Sequence, residues 1–298
     1  MATRTLLRAP AHAARTHARL NRRKITNRTL LYLGVAVYII IAVFPIYWMV
    51  LTAFKSNADL YNPRNFRLWF NLAPTFTHVA YLFQKTNFAT WLVNTYIISF
   101  FTVIVTLLAA VPAGYALGRM RLPGGDTLAI AIFLTYLVPS SLLFIPLSRI
   151  VTSLHLQNSI WALVLVYPTI TIPFCTWLMM GFFKTVPLEL EEAAEIDGCT
   201  RFQAVRHVVL PLSRAGILSV MMFAFTLAMQ DFIYALTFVT SSKAKPVTLG
   251  VVTDLIRGDI FYWGELMAGA LIVGLPVAIL YNLFLDDFIS GITSGAFK

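Results

Sequence analysis

Side chains able to do covalent chemistry are few in this sequence and poorly spaced for it. The histidines (His12, His17, His78, His155 and His207) are scattered without metal-ligand spacing. None is followed by glutamate, which excludes a helical zinc-protease motif. No Gly-Lys dipeptide occurs, so the phosphate loop of an ATPase is absent. Gly291-Ile-Thr-Ser-Gly295 has the outline of a serine-hydrolase elbow, but Thr293 stands at its centre and no strand is expected before it. Cys175 is expected in a membrane span and Cys199 in a cytosolic loop, which argues against a structural disulfide. We therefore expect no catalytic residue, no metal site and no cofactor in this chain. Work done on a solute must draw its energy from another protein.

One polar segment stands out. Pro187-Leu-Glu-Leu-Glu-Glu-Ala-Ala-Glu-Ile-Asp-Gly-Cys-Thr-Arg-Phe-Gln-Ala-Val-Arg-His-Val-Val-Leu-Pro211 holds five of the thirteen acidic residues of the chain. Pro187 suits the first turn of a helix, and acids there complement the helix dipole. Leu188–Asp197 contains no breaker and reads as a short helix. Gly198 permits a turn or a close backbone approach. Thr200 is a candidate N-cap for a second helix ending at Pro211, with Phe202, Val205 and Val209 expected on one face. Helices that lie on a membrane surface are typically rich in Lys and Arg. The carboxylates here favour docking to cations of a soluble partner instead.

The elements around this segment follow from composition. The 298 residues are 58% hydrophobic and 12% charged, and mean hydropathy is +0.75. Soluble proteins carry about 25% charged residues, so the sequence predicts an all-α integral membrane protein. Six apolar stretches are long enough to span, at about 29–54, 91–117, 127–148, 159–183, 215–239 and 266–285. Residues 1–28 form a basic tail with eight Lys and Arg and no acid. Placing that tail in the cytosol puts 15 of the 23 Lys and Arg in inner segments, which predicts both termini inside. The loop 187–211 between the fourth and fifth spans is then cytosolic. The net charge of +10 is mostly this tail. Such a run contacts anionic lipid headgroups, and nothing beside it suggests nucleic-acid binding. Within the spans, Asp231 is an acid costing about 2.5–3.5 kcal/mol at a membrane centre. With Gln230 before it and Tyr234 three residues on, it is a candidate lining for a solute path, or else part of a satisfied interhelical hydrogen bond or of an ion pair at the outer membrane boundary.

The run Glu192-Ala193-Ala194, then Gly198, Val208 and Leu210-Pro211, resembles the EAA motif of ABC-importer membrane subunits. Val208 stands where isoleucine is usual, Cys199 where alanine is, and Ala215 where proline is common. Asn94-Thr95, Tyr115-Ala-Leu-Gly-Arg119, Pro139, Pro146-Leu147 and Phe182-Phe-Lys-Thr-Val-Pro187 are similar to carbohydrate-importer permeases. So is the ending Gly291-Ile-Thr-Ser-Gly-Ala-Phe-Lys298, although Asp286-Asp287 departs from the family pattern. The whole chain resembles the shorter permease of maltose-type transporters, in a bacterial or archaeal cell membrane.

That resemblance implies a second, homologous permease, a dimer of ATPase subunits that binds ATP and Mg, an extracytoplasmic solute-binding protein and a sugar-like solute. It also implies that Glu192, Ala193, Ala194, Asp197, Gly198, Val208, Leu210 and Pro211 form the joint to the ATPase. Glu192 would meet a cation there, and Gly295, Ala296 and Lys298 of the tail 291–298 are further candidate contacts. The competing expectation is an ion-coupled secondary transporter or channel acting without an ATPase; no inverted repeat supports it.

Overall fold

The computed structural model describes residues 11–120, 122–258 and 260–285, with side chains from residue 28 onward. The apolar stretches fold as helices because lipid offers no partner for backbone N–H and C=O groups. Helix α1 (Ala11–Phe54) runs on from residues of the basic tail into the first apolar stretch. After it come α2 (Asn57–Leu60), α3 (Thr77–Lys85) and α4 (Phe88–Arg119). The third expected span is not one helix. It is α5 (Gly125–Tyr136), a short 3₁₀ turn (Ser140–Leu143) and α6 (Phe144–Ser153), bent by 90° at the break. Pro139 lies at that break, where its missing N–H and its restriction on the preceding residue end α5.

The fourth stretch is α7 (Ile160–Val166) and α8 (Pro168–Thr185), with Pro168 in the first turn of α8. The loop helices are α9 (Leu188–Ile196), α10 (Arg201–Ala204) and α11 (Leu210–Leu212), the last two joined by a π-helical turn over Val205–Val209. Pro211 therefore does not end the second loop helix. The wide turn before it carries the Leu210 N–H to the Val205 carbonyl, and the 74° bend falls beyond Leu212. The fifth stretch is α12 (Arg214–Gln230), and a break at Asp231 separates it from α13 (Ile233–Phe238). Then follow α14 (Val247–Leu255), an antiparallel pair β1 (Ile256–Arg257) and β2 (Ile260–Phe261), and α15 (Trp263–Leu283).

Four helical segments are long and apolar enough to cross a membrane: 28–54, 88–119, 160–185 and 263–283. The count reaches six if each bent pair is one span. Helix α4 is the axis, packed against α8 and α12, while α1 lies against α15. A Cβ on Gly114 of α4 would come within 2.6 Å of Met179 Cβ and 3.0 Å of the Met180 backbone nitrogen. Small residues let membrane helices approach this closely, and tight contact replaces the missing hydrophobic drive between helices in lipid. Buried hydroxyls add to it: Thr106 and Thr171 join α4 to α8 at 2.6 Å.

The end of the bundle that carries α2 and α3 is closed by hydrogen bonds. Trp91 Nε1 donates to the Ser242 carbonyl at 2.7 Å. Asn94 Nδ2 donates to the Lys243 and Lys245 carbonyls. Thr95 Oγ1 accepts the Val247 N–H. Asn94-Thr95 thus clamps the loop that precedes α14.

Candidate coupling surface

Helix α9 starts after Pro187, whose extended backbone (φ −56°, ψ 133°) occupies the N-cap position, with Glu189 and Glu191 in the first turn. It stops at Gly198. The Gly198 N–H reaches the Glu195 carbonyl, and the Cys199 N–H reaches the Ala194 carbonyl. Those bonds form a Schellman stop and require φ +93° at Gly198, a region that side chains disfavour. A Cβ there would meet nothing within 4 Å, so Gly198 is needed for backbone shape and not for internal packing. Thr200 caps the next helix as expected, in a capping box with Gln203.

The two neighbouring glutamates of α9 part company. Glu192 is exposed, together with Ala193, Glu195, Asp197 and Gly198. Large apolar groups lie bare beside them, Ile196 at 86% and Phe202 at 74% exposure. Glu191 instead turns inward and is buried. Its Oε1 accepts the Tyr115 hydroxyl, and its Oε2 stands 3.9 Å from Arg119 Nε. Arg119 also donates to the Val186 carbonyl, and Arg201 Nε donates to the Tyr115 oxygen at 3.2 Å. Tyr115 and Arg119 are one turn apart near the end of α4, so three segments meet around one buried carboxylate. Sequence reading missed this cluster. Its signal was a tyrosine and an arginine at i and i+4 closing a span next to an acidic helix.

Val208 and Leu210 are half-buried, and Pro211 is exposed. Val209 is buried, so Phe202 and Val209 do not share a face as expected, because the π-helical turn lies between them. Gly295, Ala296 and Lys298 lie outside the described residues.

The candidate path residues sit at the break after α12. Asp231 Oδ2 accepts the Tyr167 hydroxyl at 3.0 Å and the N–H groups of Tyr234 and Ala235 at 3.1 and 3.2 Å. The Asp231 carbonyl accepts the Thr248 hydroxyl. Asp231 is thus a helix-capping carboxylate tied to α8 and α14. Tyr234 is fully buried against Phe144 and Tyr167, whereas Gln230 is exposed.

The end that carries α2 and α3 holds charges that the sequence reading counted for orientation, as the four cations and single acid of the loop 55–90, without giving them partners. Asp59 is buried. Burial pushes its carboxyl up, but bonds from the Asn71 backbone and side chain, Asn65 and the Leu72 N–H outweigh that and hold it at about 2. Lys55 Nζ donates to the Phe66 and Arg67 carbonyls. His78 lies between Glu265, 3.0 Å from Nδ1, and the Lys55 carbonyl, 2.8 Å from Nε2. The Glu265 contact raises its pKa against the opposing effect of burial.

Residues 110–293 match the family described as binding-protein-dependent transport system inner membrane component. The chain belongs to that family: it is a membrane transport subunit and not an ATPase. Among its relatives is the sulfoquinovosyl glycerol transport system permease protein SmoH of Agrobacterium fabrum, 32% identical, covering 92% of this chain and 95% of that one. Another is the diacetylchitobiose uptake system permease protein DasC of Streptomyces coelicolor, 33% identical, covering 86% and 92%. A solved bacterial ABC transporter involved in import of the acidic polysaccharide alginate shares the fold, with TM-score 0.75 at 19% identity and coverage of 89% and 96%.

Proposed function

We propose that this chain is one permease of an ATP-driven importer for a sugar or related polyhydroxylated solute, and that the loop 187–211 is its joint to the ATPase. In this reading the chain pairs with a second permease, rests on two ATPase subunits that bind ATP and Mg, and receives solute from an extracytoplasmic binding protein. The relatives named for glycosides and the neighbour named for alginate support the solute class. Here α5 and α6 count as the third span and α12 with α13 as the fifth, while α10 and α11 stay with the cytosolic loop. Both termini face the cytosol, and the excess of Lys and Arg on that side supports the orientation. The membrane is that of a bacterium or archaeon.

The observation that carries the coupling assignment is the bare surface of α9 and α10. Glu192, Ile196 and Phe202 offer an exposed carboxylate and two largely bare apolar knobs among the described residues. An exposed apolar patch rimmed by charge marks a protein interface. Glu192 would pair with a cation of the ATPase, Gly198 would leave room for close docking, and Leu210-Pro211 would lead the movement into α12. Gln230, Asp231 and Tyr234 remain our proposed wall of the solute path, with Asp231 acting through the helix that it caps.

Reconstitution tests the reading. In vesicles holding both permeases, the ATPase pair and the binding protein, Gly198→Asp should leave insertion intact and uncouple ATP hydrolysis from uptake. Normal uptake by that variant would refute the assignment, as would solute accumulation by this chain alone.

A further inference from the structure

The glutamate one position before the exposed Glu192 lacks access to any docking partner, yet it is held more firmly than any other acid of the loop. Its burial, the Tyr115 hydroxyl on one oxygen and Arg119 3.9 Å from the other tie α9 to the end of α4. Arg201 closes the ring from α10: it donates to the same tyrosine oxygen and lies 5.8 Å from that ring's centroid. The Tyr115 ring in turn meets Phe183 of α8 edge-on at 5.7 Å. One carboxylate thus gathers α4, α8, α9 and α10. Among the described residues Glu191 Oε2 and Arg119 Nε have no other hydrogen-bond partner. Two buried opposite charges left 3.9 Å apart attract across that gap, and a shift of about 1 Å would complete a charge-assisted bond. The gap is therefore biased to close when α9 is pressed toward α4.

We propose that Glu191 is the positioning residue that passes the movement of the coupling loop into the bundle, acting through Tyr115 and Arg119 on α4 and Arg201 on α10. It touches neither solute nor ATPase. Glu192 and its exposed neighbours receive the push, and Glu191 keeps α9 from pivoting away under it. The proposal rests on the coupling-loop reading and adds to it the internal half of the joint.

The test uses the complete importer in proteoliposomes, with three readouts: ATPase subunits retained per permease, ATP hydrolysis rate, and solute taken up per ATP hydrolysed. Glu191→Gln keeps the shape and an acceptor for Tyr115 but loses the charge facing Arg119. It should retain the ATPase and hydrolyse ATP while uptake per ATP falls about tenfold. Tyr115→Phe keeps the ring against Phe183 and removes the hydroxyl, and it should lower the same ratio by about threefold. The double variant should be no worse than Glu191→Gln, because both changes break one linkage. A residue with only a folding role would reduce the amount of assembled importer and leave uptake per ATP unchanged in what assembles. That unchanged ratio would overturn the proposal. Should Glu191→Gln fail to assemble, Tyr115→Phe decides on the same ratio. Glu192→Lys separates the two claims: unchanged ATPase retention and uptake there would defeat the coupling-loop reading, whereas loss there with a normal ratio in Glu191→Gln would defeat this proposal alone.

Discussion

At the end of the bundle that carries α2 and α3, charged and amide groups turn inward. Asp59 collects bonds from Asn65, Asn71 and Leu72, Lys55 holds two carbonyls, and His78 sits between Glu265 and a backbone oxygen. At the far end of α4, about 48 Å away for a 32-residue helix, α9 and α10 do the reverse. All the acids of that loop but Glu191 face outward, and Ile196 and Phe202 are bare. Polar groups satisfied within the chain hold a shape. Groups left open on a helix pair joined by the Gly198 stop and the Thr200 capping box are what the proposed docking to a partner would use. The same kinds of residue thus do opposite work, and their partners tell which.

The largest effect that would break this contrast is expected at Gly198. Aspartate there must adopt φ +93°, and its side chain would enter open space on the proposed docking face. Uptake by the reconstituted importer should fall to background while the protein still inserts, measured as transport against membrane yield. Next is Asp231. Alanine frees the Tyr167 hydroxyl and two N–H groups of α13, costing about 1–3 kcal/mol for each buried group left unsatisfied. Thermal unfolding in detergent should show that loss, and solute preference should shift as α13 loosens. Unchanged uptake and preference would remove Asp231 from the path.

Smaller effects are expected at the inward-turned end, and pH reads them. With its carboxyl held at about 2 against an ordinary 3.8, Asp59 contributes fully above pH 4, and that contribution is lost as pH falls through 2. Limited proteolysis of the loop 56–75 should accelerate across that window, and Asp59→Asn should make the rate flat there. His78 has the opposite sign. Its pKa is raised above 6.5, so its contribution is complete below that value and fades as pH rises through the folded pKa. Thermal stability should therefore decline on the alkaline side, and His78→Gln should abolish that slope.

Much of this was legible beforehand because membrane burial is written in runs of apolar residues. The stretches at 29–54, 91–117 and 266–285 lie within a few residues of helices, and Thr200 and Gly198 act as their types suggested. Pro139 is of a type that can kink a helix, though not one that tells of a 90° bend. The break at Asp231 was not legible, since hydropathy measures how apolar a stretch is and not whether it is straight. Glu191 escaped notice for a related reason. Neighbouring glutamates look alike in sequence, and only the arrival of Tyr115 and Arg119, more than seventy residues earlier in the chain, tells them apart. Asp59 was visible as the lone acid among cations in its loop, but its amide partners belong to a fold that no periodicity announces.

The wide turn at Val205–Val209 has a consequence for how the loop meets its neighbour. Residues seven apart in a regular α-helix lie nearly in line, yet Phe202 points out at 74% exposure while Val209 is sealed at 0%. One surplus residue in the turn offsets the helix by about 100°. Trimming a single residue from 205–208 would swing the phenyl knob round toward the bundle and blank the face that α10 shows to the outside.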